Sequence, residues 1–181
     1  MNKKSEIIFI IDKSGSMSGF ESDTVGGVNT ILKEQKDKGA DAVVTTVFFN
    51  NHQETIYNGV DIKEIPLLEV SQYRPSGMTA LLDAIGNTLA MVTDRHVALK
   101  EEDRPSKTLV VITTDGLENC SREYSKKAIT TLIKSKEQSG WEFLFLGADM
   151  DAIKAAEDIG IRRERAARYS RSRKGNEKMF Y

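Results

Sequence analysis

Four runs of large apolar and β-branched residues constrain this chain most: Ile7–Ile11, Val43–Phe49, Leu109–Thr113 and Phe143–Leu146. None shows the polar–apolar alternation of a strand with one face in water, so each predicts a strand buried on both faces. Between them lie segments of helical period. Val25, Val28, Ile31 and Leu32 mark one, closed by Gly39. Leu82, Ile85, Leu89 and Val92 mark a second, and Ala128, Ile129, Leu132 and Ile133 a third that runs to Gly140. Residues 151–159 form a fourth. Buried strands alternating with amphipathic helices predict an α/β architecture, a mostly parallel sheet covered by helices on both faces.

One pair of strands breaks the alternation. Asn50-Asn51 follows the second strand directly, and Glu54–Tyr57 reads as a short antiparallel partner at a sheet edge. Residues 60–79 hold two of the three prolines and little periodicity, which predicts a short helix or an irregular crossing. Lys100–Pro105 reads as a charged loop.

The length of 181 residues fits one domain with a substantial core. No apolar run approaches the roughly 18 residues of a membrane span. The start, Met-Asn-Lys-Lys-Ser-Glu, has a faint signal-peptide character, but the apolar stretch stops at Asp12 and serves better as a first strand. The single cysteine, Cys120, excludes an internal disulfide and fits a reducing compartment, so a cytoplasmic location is expected. Charge is unevenly spread. Residues 161–181 carry a balance of +6 in a chain whose net charge is −1, leaving −7 for the rest. That basic segment reads as a solvated face or a seam against the acidic body, or else as a surface for phosphates.

The chemistry sits at the strand ends. Asp12-Lys13-Ser14-Gly15-Ser16 closes the first strand with a carboxylate and two hydroxyls at alternating positions. Oxygen ligands of this kind suit Mg²⁺, Mn²⁺ or Ca²⁺. The plainer reading is a turn in which Asp12 bonds to the backbone two residues on. Asp115 ends a later strand, and Thr79 lies in a Gly-containing loop at a helix start. In a parallel sheet the loops after the strands share one edge, so Asp12, Ser14, Ser16, Thr79 and Asp115 converge although far apart in sequence.

With these residues the chain resembles the von Willebrand factor type A (vWA) domain, whose metal-ion-dependent adhesion site (MIDAS) combines D-x-S-x-S with a distant Thr and a distant Asp. The match comprises Asp12, Ser14 and Ser16, then Thr79 in Ser76-Gly77-Met78-Thr79-Ala80-Leu81-Leu82-Asp83, then Asp115 in Ile112-Thr113-Thr114-Asp115-Gly116. The stretches Ile-Asp-Lys-Ser-Gly-Ser-Met, Asp-Gly-Leu-Glu-Asn and Leu-Gly-Ala-Asp look like small intracellular bacterial and phage-encoded members.

The resemblance implies a single domain over 1–181, with a core at about 5–160 and a basic C-terminal segment at 161–181. It implies a three-layer, Rossmann-like fold with six strands, the last near Ala167–Ser170, and a final helix from about Asn176 that is shortened or cut off. It also implies a divalent cation, Mg²⁺ first and Mn²⁺ or Ca²⁺ as alternatives. Ser14 and Ser16 would touch it directly, and Thr79, Asp12 and Asp115 directly or through water. One position would stay open for an acidic side chain of a partner protein.

Lys13 and Glu118 then read either as rim charges that tune the site's field or as solvated loop charges. His52 and His96 have no neighbours at zinc-ligand spacing, and Trp141 reads as a packing residue. Cys120 reads as a passive thiol near the site. Two other functions compete with an adhesion or adaptor module. A Mg²⁺-dependent phosphatase would use Asp12 as nucleophile and want a second Asp where Ser14 stands. A nucleic-acid role would rest on the basic segment. Neither membrane nor nucleic acid is the expected partner.

Overall fold

The computed structural model describes residues 4–115, 118–147 and 150–168. Six strands form one sheet: β1 (Ser5–Asp12), β2 (Ala42–Phe49), β3 (Gln53–Asp61), β4 (Lys107–Thr114), β5 (Trp141–Gly147) and β6 (Ala166–Arg168). Their spatial order is β3-β2-β1-β4-β5-β6, with β3 antiparallel to β2 and every other pair parallel. The chain therefore winds outward from β1 in both directions, and the reversal of strand order falls at β1 and β4.

Four helices connect the strands: α1 (Glu21–Asp37), α2 (Leu81–Ala98), α3 (Lys126–Gln138) and α4 (Met150–Asp158). The period of two along β1 sorts its side chains between the layers. Ile7, Phe9 and Ile11 pack with α1 and with Ile62, Ile65, Leu68 and Tyr73 of the crossing segment. Ile8 and Ile10 pack on the other face with Leu82, Ile85, Leu89 and Val92 of α2, Ile129 and Ile133 of α3, and Ala152 and Ala156 of α4. Gly39 and Gly140 close α1 and α3 in the left-handed region, at φ 64° and 87°.

The α/β expectation thus holds: a mostly parallel six-stranded sheet, one antiparallel edge strand and helices on both faces. One boundary shifts. β3 is nine residues long rather than four, because irregular pairing at Val44, Thr46 and Val47 lets it follow β2 along its whole length. The crossing segment is irregular with one short 3₁₀ turn, Val70–Gln72. Its anchor is Asn29, whose side-chain amide brackets Leu68 through both backbone groups at 2.9 and 2.8 Å. The expected strand end at 169–170 and the helix from Asn176 lie outside the described residues. No helix among the described residues is long and apolar enough to cross a membrane.

At the amino edge of the sheet sits a charge that the apolar pattern does not announce. Glu6 is fully buried on β1, where Thr45 Oγ1 donates to it at 2.8 Å and His96 Nε2 lies 2.5 Å away. Arg95 makes an ion pair with the same carboxylate. His96 also packs on Trp141 with ring centroids 5.6 Å apart, and Lys136 lies 4.7 Å above that ring. Trp141 is a packing residue, as expected, set against the apolar layer of α2 and α3 and bordered by this polar group.

Candidate metal centre

The carboxyl edge of the sheet gathers three loops. The first leaves β1 at Asp12, which is fully buried. Its Oδ1 accepts the Ser14 backbone N–H at 2.7 Å, and its Oδ2 accepts the Thr114 hydroxyl at 2.7 Å. The Asx turn of the plainer reading is therefore present. It leaves acceptor capacity on both oxygens, because each carboxylate oxygen has two lone pairs. Tyr73 donates its hydroxyl to the Asp12 carbonyl and fixes the end of β1 from the α1 side. A 3₁₀ turn, Gly15–Met17, follows and plugs the fully buried Met17 into the core below. It leaves Ser14 buried and Ser16 exposed, with their hydroxyl oxygens 3.2 Å apart.

The second loop, 76–80, lies against the first. Gly15 N–H donates to Gly77 O at 2.9 Å, and Ser76 N–H donates to Lys13 O at 2.7 Å. Gly77 has φ 77°, and a Cβ there would meet Asn51 Oδ1 at 2.3 Å. The positive φ is what calls for glycine, since the exposed Asn51 side chain can move aside. Thr79, two residues on, is buried.

The third loop leaves β4 at Asp115. Its Oδ1 is buried and has no hydrogen-bond partner among the described residues. Its negative charge adds to the burial that raises the Asp12 carboxyl above its ordinary value, against the lowering hydrogen bonds from Thr114 and Ser14. A buried carboxylate whose ionisation a second one disfavours, the second carrying an orphaned oxygen, makes a donor set that fits a cation. Among the described residues no three His, Cys, Asp or Glu cluster, so a cation here would be held by two carboxylates and by hydroxyls. That set favours a hard ion such as Mg²⁺ over zinc.

Other polar groups brace the loops, and spacing alone gives no sign of them. Glu118, half-buried, is more than a rim or solvated charge. Its carboxylate accepts the backbone N–H groups of Leu82 (3.0 Å), Cys120 (3.1 Å) and Ser121 (2.6 Å) and the Ser121 hydroxyl (2.7 Å). It thereby clamps the third loop to the start of α2. Asn119 and Thr79 exchange two bonds, at 2.9 and 3.0 Å. Asp83 accepts three backbone N–H groups from Arg122, Glu123 and Tyr124, at 2.8–2.9 Å. Lys13 turns away to pair with Glu54 at 2.7 Å. Cys120 lies beside these loops, its thiol raised by burial and by the charges of Glu118 and Asp83. A raised thiol is a poor nucleophile.

No protein-family model and no curated protein sequence matches the chain. Solved structures do. The vWF domain of the type V pili tip protein Mfa5 from Porphyromonas gingivalis superposes with a TM-score of 0.71 at 8% identity, over 94% of this chain and 91% of that one. The fold is that of a vWA domain. The manganese-loaded TRAP protein of Plasmodium vivax gives 0.65 at 16% identity, over 93% of this chain and 69% of that one. Proximal thread matrix protein 1 of the mussel byssus, with a zinc-occupied MIDAS motif, gives 0.63 at 17% identity, over 98% of this chain. The chain spans 43% of the mussel protein's length. At these identities the likeness speaks for the vWA fold; two of these neighbours are metal-loaded, one with manganese and one with zinc.

Proposed function

We propose that this chain is a metal-ion-dependent protein-binding module. Asp12, Ser14, Ser16, Thr79 and Asp115 would hold one divalent cation, Mg²⁺ first, and the partner would present an acidic side chain to it. One observation carries the reading: the buried, unpartnered Oδ1 of Asp115, beside a buried Asp12 and the Ser14–Ser16 hydroxyl pair. When bound, a hard cation supplies a Lewis-acid position that a carboxylate can fill. The chain's own residues do the rest. Thr114 and the Ser14 N–H fix the Asp12 carboxylate, while Met17 and Tyr73 fix the backbone beneath it. Exposed Ser16 leaves the centre open to solvent on one side.

The way Asp12 is held supports binding rather than turnover. Both of its oxygens already accept donors, which blunts the nucleophilicity that a phosphatase would need. Hydrolysis of an aryl phosphate above the buffer rate, lost in Asp12→Asn, would overturn that part.

Calorimetry tests the centre itself. Mg²⁺ or Mn²⁺ should bind the wild type at one site, and Asp12→Ala should give no binding heat. Equal heats for the two proteins would overturn the reading. A pull-down from the native host with Mg²⁺, and again with EDTA, should then recover a partner only in the first.

A further inference from the structure

The loop that carries Thr79 has a second side. Gly77 and Met78 form a crest, with the metal centre on one flank and a cleft of about 240 Å³ on the other. The cleft lies between the Asn50–Gln53 turn and the first two turns of α2. The crest is pinned from both flanks. Gly77 O and Lys13 O hold it to the first loop. On the cleft side, Ala80 N–H donates to Asn50 O at 2.9 Å, Asn50 Nδ2 donates to Ser76 O at 2.8 Å, and Met78 N–H reaches Asn51 Oδ1 at 3.4 Å. A loop fixed in this way nevertheless holds an apolar side chain in water, since Met78 is 53% exposed. Methionine is a contact residue that adapts to varied partners.

The cleft beyond it is polar and acidic. Asp83 and Glu123 line it, with amide groups from Asn51, Gln53 and Asn87. Asn87 Nδ2 donates to Glu123 Oε2 at 3.1 Å, which leaves the Asn87 carbonyl and the other Glu123 oxygen as acceptors. The one basic side chain on its walls is His52. A wall of acceptors with two carboxylates is complementary to a guanidinium or ammonium group.

We propose that the partner binds as one extended segment across the Met78 crest, with its acidic residue at the metal centre and an Arg or Lys side chain in this cleft. The metal half rests on the function proposed above; the cleft half rests on the crest and its acceptor wall. The partner's recognition element is thus a bipolar peptide, one acidic and one basic residue, rather than an acidic residue alone.

The two halves are tested separately. First, with EDTA present, Nα-acetyl-arginine methylamide is titrated into ¹⁵N-labelled protein. The amides of Asn51, Gln53, Asn87 and Glu123 should shift together, and Glu123→Gln should weaken that response at least about fivefold. Glu123 is exposed, and the neutral isostere keeps an acceptor for Asn87, so circular dichroism should match the wild type. Shifts that ignore the cleft, or that are equal in Glu123→Gln, overturn the proposal.

Second, with Mg²⁺ present, capped peptides carrying one Glu and one Arg are compared at spacings of one to four residues. At the best spacing, Arg→Ala should cost at least about fivefold on the wild type and under twofold on Glu123→Gln. Met78→Ser should weaken that peptide and leave the free arginine probe unchanged. An Arg→Ala cost that is the same in both proteins overturns the proposal. Loss of the EDTA arm alone removes the cleft and leaves the metal reading standing. Peptides that bind equally with Glu→Gln remove the metal reading instead.

Discussion

Glu6 shows how much one buried charge can depend on its neighbours. Burial alone would raise its carboxyl, but the His96 hydrogen bond and the Arg95 charge outweigh that and hold it below the ordinary value, with Thr45 adding to the effect. A carboxylate depressed in the folded state favours folding above its unfolded value near 4.5. That contribution fades as the pH falls through the folded value. Urea midpoints of the wild type should therefore drop as the pH is lowered below about 4.5, and Glu6→Gln should flatten that drop. At pH 7 the same variant should cost about 3 kcal/mol, because Arg95 is left largely buried without its partner. At the other edge, Tyr73→Phe removes the donor to the Asp12 carbonyl and should cost about 1 kcal/mol by denaturant titration.

Among the elements, α2 does two jobs. Its buried face, including the fully buried Ile85 and Leu89, fastens it to the sheet, while its first turn receives the third loop through Glu118 and Asp83. The jobs separate by mutation. Ile85→Ala should cost about 2–5 kcal/mol, read as a lower urea midpoint with the same slope. Asp83→Ala should leave the global midpoint nearly in place and speed hydrogen exchange at Arg122, Glu123 and Tyr124, whose amides lose their acceptor. Gly77→Ala puts a residue with a Cβ into the left-handed region, so about 1–2 kcal/mol and a melting temperature lower by several degrees are expected.

Over the whole molecule, legibility followed range in sequence. The strands were readable because β-branched runs such as Ile7–Ile11 and Leu109–Thr113 carry their burial locally. Asp12, Ser14, Ser16, Thr79 and Asp115 were readable because strand ends in a parallel sheet share an edge, and the structure sets all five there. Glu6 with Arg95 and His96, Tyr73 with Asp12, and Glu118 with the Leu82 amide were not. Each joins residues 36 to 90 positions apart and leaves no periodic trace in either partner. The reading of Glu118 as a rim or solvated charge missed its bracing role for that reason, since a lone Glu after a strand does not declare which amides it will meet.

The strand order also bears on the path by which the molecule forms. β1 is joined to β2 across a short stretch of chain, Ser5 facing Ala42, but to β4 across a far longer one, Ser5 facing Lys107. Closing the longer loop costs roughly 1 kcal/mol more in chain entropy, and non-local parallel pairing is intrinsically slow. Asp12 meets Thr114 and Asp115 only after that closure, so the edge that carries them should be among the last parts assembled. Refolding rates measured in Mg²⁺ and in EDTA should agree within about twofold, whereas unfolding should be several-fold slower in Mg²⁺. A faster refolding limb in Mg²⁺ would mean that the two halves of the sheet meet early. Under the slower scheme an incompletely folded chain lacks the assembled edge that the proposed cation needs, and Mg²⁺ binding would itself report that the sheet has closed.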